Sequence, residues 1–214
     1  MFRVIAVERE YGSGAGGIAK ALARRLDWKL LDHDLTCEIA HRLKCDVNAV
    51  ETREERLDPT FYRLVKIFMR GSYEGSTGNQ LELLDAEQLH TMFEETVTDL
   101  ASKGDCVIVG RGAPWFLRDN EDSFKVFIYA SYAEKFRRLL ALGKSNEEAD
   151  HLIQTVDQER AAFVKKYHGK TWPQRDLYHL MLNSKVGDEV AIDTVLNQME
   201  SINSRSPASA TLHE

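Results

Sequence analysis

Four glycines, Gly12, Gly14, Gly16 and Gly17, stand in the stretch "YGSGAGG" immediately behind a short β-branched run and ahead of an amphipathic one. A glycine-rich turn at that place lets successive backbone N–H groups converge on an anion, with the positive end of the following helix behind them. Ser13 and Ala15 complete the candidate phosphate cradle, Gly12 to Gly17. The lysine-bearing form, G-x-x-x-x-G-K-[ST], is not met. In one register Gly17 takes the lysine's place and Ile18 or Ala19 the hydroxyl's; in the other, Ala15 takes the first and Gly16 or Gly17 the second. Two other readings share these glycines. One is a tight turn without a ligand. The other is a dinucleotide fingerprint, because Gly12, Gly14 and Gly17 satisfy G-x-G-x-x-G. Against it, Asp32 follows Gly17 by only 15 residues and is succeeded at once by His33 and Asp34.

The other chemistry-bearing residues stand just after apolar runs or in basic helices. Asp32 and His33 follow "WKLL", and Arg111 sits between glycines after "CVIVG". A guanidinium fork matches phosphate oxygens, so Arg111 is a candidate anion ligand. Of Arg137 and Arg138, only one can point at the edge of a sheet from its helix. Arg160 lies three residues after Asp157, a spacing that also suits plain helix-surface decoration. Glu10 and Asp32 are the candidate carboxylates for a metal ion. A zinc site is not expected, since no second His or Cys stands at metal spacing near His33. Trp115, Phe116 and Trp172 can stack on a base or fill core.

The elements that would position these groups are legible as periodicity. Arg3–Val7, Trp28–Asp32, Cys106–Gly110, Phe124–Ala130 and Leu177–Leu182 read as short buried strands. Helical spacing predicts helices over Ile18–Leu26, Leu35–Leu43, Asp85–Lys103 with Gly104 as its C-cap, Tyr132–Leu142, Glu147–Tyr167 and Gly187–Ile202. The alternation implies an α/β fold, a five-stranded parallel sheet with helices on both faces, whose ligands bind at the carboxyl ends of the strands. Residues 46–84 mix charge with a Gly/Ser-rich turn and read as a mobile insertion. The polar end, 204–214, reads as a disordered tail.

The 214 residues suit one domain, spanning 1–203. With 28 basic against 34 acidic residues the formal charge is −6, which argues against a nucleic-acid polymer as partner. Cys37, Cys45 and Cys106 form no CxxC pair and read as reduced thiols. Charge at Glu8 interrupts any signal peptide, and no apolar run approaches the ~20 residues of a membrane helix. A cytoplasmic protein without a membrane partner is expected; the sequence sets no oligomeric state.

Taken together, "REYGSG" (Arg9–Gly14), "WKLLDHDL", "VIVGRGAPWFLRD" (Val107–Asp119), "VFIYASYAEKFRRLL", "DQERAAFVKKYHGKTW" and "LYHLMLNSKVG" resemble, in order and spacing, the cytidylate kinase-like family of P-loop kinases. The resemblance implies a P-loop kinase-like sheet, a monophosphate-binding insertion and a closing lid over about 155–175. It implies ATP with Mg2+ as the donor and a nucleoside monophosphate, CMP first, as the acceptor. By the same resemblance Gly12 to Gly17 cradle donor phosphates, and Asp32, His33 and Arg111 serve the acceptor. Arg138 and Arg160 neutralise the transferring group, with Lys165, Lys166 and Lys170 assisting. The chain departs from related kinases at Val109, where an aspartate helps to hold the metal. The departures keep two alternatives open: a nucleotide-binding module with little or no kinase activity, and a kinase of another small molecule.

Overall fold

A computed structural model describes residues 1–32, 86–110 and 112–205. The predicted Leu35–Leu43 helix, the 46–84 insertion, His33, Asp34 and Arg111 lie outside them, as do Cys37 and Cys45. In chain order the elements are β1 (Val4–Arg9), α1 (Ala15–Leu26), β2 (Lys29–Leu31), α2 (Ala86–Ser102), β3 (Cys106–Val109), α3 (Ala113–Phe116), β4 (Ser123–Tyr129), α4 (Tyr132–Ala141), α5 (Asn146–His168), β5 (Leu180–Asn183) and α6 (Asp188–Arg205). The strands form one five-stranded sheet in the order β2-β3-β1-β4-β5, and each neighbouring pair is parallel.

That order decides against the dinucleotide reading of the glycines. A doubly wound dinucleotide sheet sets β2 beside β1. Here β3 lies between them, with Val4 opposite Cys106 and Leu31 opposite Ile108.

One face of the sheet is closed by α1 and α6. Ile5, Val7, Val107, Val126 and Ile128 pack there against Ile18 and Leu22 of α1 and Ile192 and Val195 of α6. Ile18 and Leu22 are fully buried, each stabilising the fold by roughly 1.5–3 kcal/mol. Elsewhere, α2 buries Phe93 and Val97 and packs on α3, which in turn lies against β1.

β1 runs two residues beyond the predicted Val7, because pairing with β4 continues through Glu8 opposite Phe127 and Arg9 opposite Ile128. β5 starts later than predicted. Residues Arg175–Leu177 form a 3-10 turn, and the approach to β5 is fixed by reciprocal bonds in which His179 N donates to Lys125 O and Lys125 N donates to His179 Nδ1. The last helix continues through Arg205, so Ser204 and Arg205 are helical rather than part of a disordered tail. It is tied back by the Phe2 amide, which donates to Asn203 Oδ1 at 2.8 Å. α3 has no counterpart in the sequence prediction. Its signals are Gly112 as a left-handed N-cap and Pro114 in the first turn, where a missing N–H is harmless.

Candidate functional site

The glycine loop links the carboxyl end of β1 to α1. Gly12 (φ +74°) and Gly14 (φ +82°) occupy the left-handed region, so the chain reverses there at no steric cost to glycine. The Ser13 amide donates to Glu10 O at 3.3 Å, and the Gly17 and Ile18 amides donate to Gly14 O. Among the described residues no acceptor meets the amides of Gly12, Gly14, Ala15 and Gly16. Four N–H groups at a helix N-terminus are thus available to an anion. A Cβ on Gly16 or Gly17 would meet nothing within 4 Å, so the space beside the helix start is open. Ser13 Oγ is buried without a hydrogen-bond partner among the described residues.

A cation stands at this loop without belonging to it. The Arg138 guanidinium, reaching from α4, lies against Gly14 where a side chain on that glycine would stand. It donates to Asp188 Oδ1 at 2.7 Å, at the start of α6, and to Glu134 Oε1 at 2.8 Å. Hydrogen bonding to Asp188 raises the Arg138 pKa, so the charge is permanent. Arg137 points elsewhere, into solvent, and pairs Glu134. Beside Arg138 opens a pocket of about 610 Å³ lined by Glu134, Arg137, Ser184, Lys185 and Asp188. Ser184 Oγ is buried there, also without a partner among the described residues.

A second cluster holds the entry to the loop. Arg160 of α5 is buried and donates from Nη1 to Arg9 O (2.8 Å) and to Asp157 Oδ1 (3.0 Å). The surface-decoration reading of that pair therefore fails. Burial, with Arg9 nearby, pushes the Arg160 pKa down to about 10, which still leaves it charged at neutral pH. Asp157 Oδ1 also accepts the Tyr11 amide at 2.8 Å, and Oδ2 accepts Lys135 Nζ at 3.2 Å. Lys135 Nζ meets Glu10 Oε2 at 2.7 Å, and that oxygen also accepts the Ala130 amide. Lys135 was not singled out by sequence, where it resembles any helix-surface lysine in "AEKFRR". Arg9 carries no signal of its own in the sequence, yet its guanidinium lies over Gly110, at the end of β3 and one residue before Arg111.

Asp32 sits half-buried directly past β2. β2 and β1 are separated by β3 alone, so Asp32 and the loop stand on one sheet edge about two strand spacings, roughly 10 Å, apart. Lys165, Lys166 and Lys170 are exposed at the end of α5 and beyond. Each of the three aromatics packs on protein: half-buried Trp115 lies tilted against His168 with ring centroids 4.3 Å apart, buried Phe116 packs on His90, and half-buried Trp172 packs on Phe127.

The described residues do not fit a protein-held metal. They contain no group of three or more His, Cys, Asp or Glu placed to hold one. Glu10 is engaged by Lys135 and Ala130, and Val109, Ile18 and Ala19 are core.

The family description of the cytidylate kinase-like proteins matches residues 4–186, most of the chain. The chain belongs to the cytidylate kinase-like family. Membership carries nucleotide binding and a P-loop kinase-like phosphotransfer on a small substrate. Among solved structures, the chain is similar to an uncharacterised protein from Eubacterium ventriosum (21% identity, TM-score 0.65, 94% of this chain and 99% of that one). It is also similar to a gluconokinase from Sinorhizobium meliloti (12% identity, TM-score 0.54, 93% and 92%) and to a shikimate kinase from Bacteroides thetaiotaomicron (19% identity, TM-score 0.50, 94% and 98%). At such identities these likenesses establish the fold. No curated protein matches the chain. No described helix is long and apolar enough to cross a membrane.

Proposed function

We propose that this cytidylate kinase-like protein transfers the γ-phosphoryl group of ATP to a nucleoside monophosphate, with CMP the favoured acceptor. The observation that carries the donor half is the set of four amides without acceptors, from Gly12 to Gly16, with the Arg138 cation beside them. A triphosphate laid on those amides directs its nucleoside toward the pocket beside Arg138. That pocket has the size of a small-molecule site.

In the reaction, an oxygen of the acceptor phosphate forms a bond to the γ-phosphorus as the bond to the β,γ-bridging oxygen breaks. No covalent enzyme intermediate is needed. The loop amides fix the donor, and Arg138 offsets charge on the moving group. Arg160 offsets charge on the acceptor side of the loop, with Nη1 held by Arg9 O and Asp157. Asp32, His33 and Arg111 take the acceptor, a role that rests on the family pattern and, for Asp32, on its place at the same sheet edge. The roughly 10 Å between that edge position and the loop is the span a phosphoanhydride chain and an acceptor phosphate would fill.

The test of the acceptor half is Arg111→Ala. Monophosphate binding should weaken by about 2 kcal/mol, as for a lost charged hydrogen bond. Unchanged binding would refute the assignment. One observation favours a second reading, a nucleotide-binding module with little turnover. Ile18, Ala19 and Val109, which stand where the hydroxyl and the strand-end carboxylate would be, are buried in the core. ATP binding without turnover on any monophosphate would select it.

A further inference from the structure

The buried charges at the loop entry are balanced: Arg9, Lys135 and Arg160 face Glu8, Glu10 and Asp157. The contacts of this cluster fall on the chain leading into the cradle. Arg9 O is held by Arg160, Glu10 by Lys135, and the Tyr11 amide by Asp157. Gly12 packs directly on Lys135, whose Cβ lies 3.2 Å from where a Cβ on that glycine would stand. Three consecutive residues before the first glycine are thus fastened to α4 and α5. Within the loop itself, neither lysine nor helix hydroxyl is present to set its shape around an anion.

The same helix reaches the opposite side of the site. Half-way along α5 are Asp157 and Arg160; at its end His168 packs against Trp115 of α3, just past Gly112. A shift of α5 relative to the sheet must therefore act on Arg9–Tyr11 and on the α3 contact together.

We propose that Lys135 and Asp157 are positioning residues that couple α5 to the phosphate loop, so that filling the loop and settling α5 are one event. The proposal rests on the reading that the loop binds nucleotide phosphates. Neither side chain touches the loop's four free amides; Lys135 acts through the Glu10 carboxylate and Asp157 through the Tyr11 amide.

Hydrogen exchange on the full chain, with and without ATP and Mg2+, reads the coupling. In the natural sequence ATP should slow exchange over Gly12–Gly17 and over 155–168 together, by about tenfold or more in each. In Lys135→Met the loop should still be slowed by ATP while the response of 155–168 is lost, and Lys135→Arg, which keeps the cation, should restore it. Protection of the loop without any response in α5 in the natural protein would overturn the coupling while leaving the nucleotide reading intact. So would an unchanged joint response in Lys135→Met. No slowing at the loop in the natural protein would overturn the nucleotide reading and the coupling with it. Should Lys135→Met lose protection in β1, β3 and β4, Asp157→Asn is read in the same way. Loss of the sheet in both variants would make the cluster a requirement of folding, and the coupling would be refuted.

Discussion

Arg138 and Gly14 exclude one another's side chains: the guanidinium occupies the place where a Cβ on Gly14 would stand. The loop and the cation are therefore one structure, although 124 positions separate them in the chain. Gly14→Ala would force Arg138 aside and place alanine at φ +82°. It should destabilise the protein by about 1–2 kcal/mol from the backbone alone, and nucleotide binding should fall with it. Gly16 is the contrast. It lies in the first turn of α1 with no positive φ, and a Cβ there meets nothing within 4 Å. Gly16→Ala should raise stability by ~0.5–1 kcal/mol, as alanine does in a helix, yet weaken ATP binding because the methyl enters the space a phosphate would take. Thermal melts with and without ATP separate the two effects. A Gly16→Ala protein with undiminished ATP binding would show that the open space is not the phosphate site.

Arg138 should act on transfer more than on folding. Its partners Asp188 and Glu134 are half-exposed or at the surface rim, where ion pairs contribute little. Arg138→Ala should lower kcat by about 10²-fold, the scale for one lost charge-stabilising donor, with a small change in melting temperature. Asp188→Asn, which removes the charge that holds Arg138 to α6, should leave ATP affinity unchanged or tighter. Equal losses in both variants would mean that the pair matters only as a tie between α4 and α6.

His168 supplies a pH dependence of stability. Burial first, then the neighbouring His90 and Arg118, push its pKa from 6.5 down to about 4. The unfolded chain therefore binds a proton in a pH range where the folded chain does not. Stability should rise with pH from about 4 to about 6.5 and be fully present above that. Denaturant titrations at pH 5 and pH 7.5 should show the natural protein weaker at the lower value, and His168→Gln should narrow the gap. An unchanged gap would place the acid sensitivity elsewhere.

The fold was largely legible because each strand is a short apolar run closed by charge or glycine, as in "RVIAV" and "CVIVG". Parallel order followed from the alternation of strands with helices. The order β2-β3-β1 did not, since it depends on which crossover passes which strand, and no local pattern records that. The loop was legible from glycines at fixed offsets. Its support was not. Lys135 and Asp157 carry the types of an exposed helix face, and only the packing of α4 and α5, around Leu139, Ala149 and Ile153, turns them inward. Arg160 was visible as a candidate, yet its partner Arg9 is 151 positions away and Tyr11, the partner of Asp157, is 146 away, neither marked by any spacing.

A lysine-free loop should hold ATP and present it to a monophosphate. The most direct test measures ADP formation from Mg-ATP against CMP, UMP, AMP and GMP, with ATP binding measured on the same protein. ATP should bind, and turnover should require a monophosphate, run fastest with CMP and fall by about 10²-fold in Arg138→Ala. ATP left unbound, with no ADP formed on any acceptor, would contradict this.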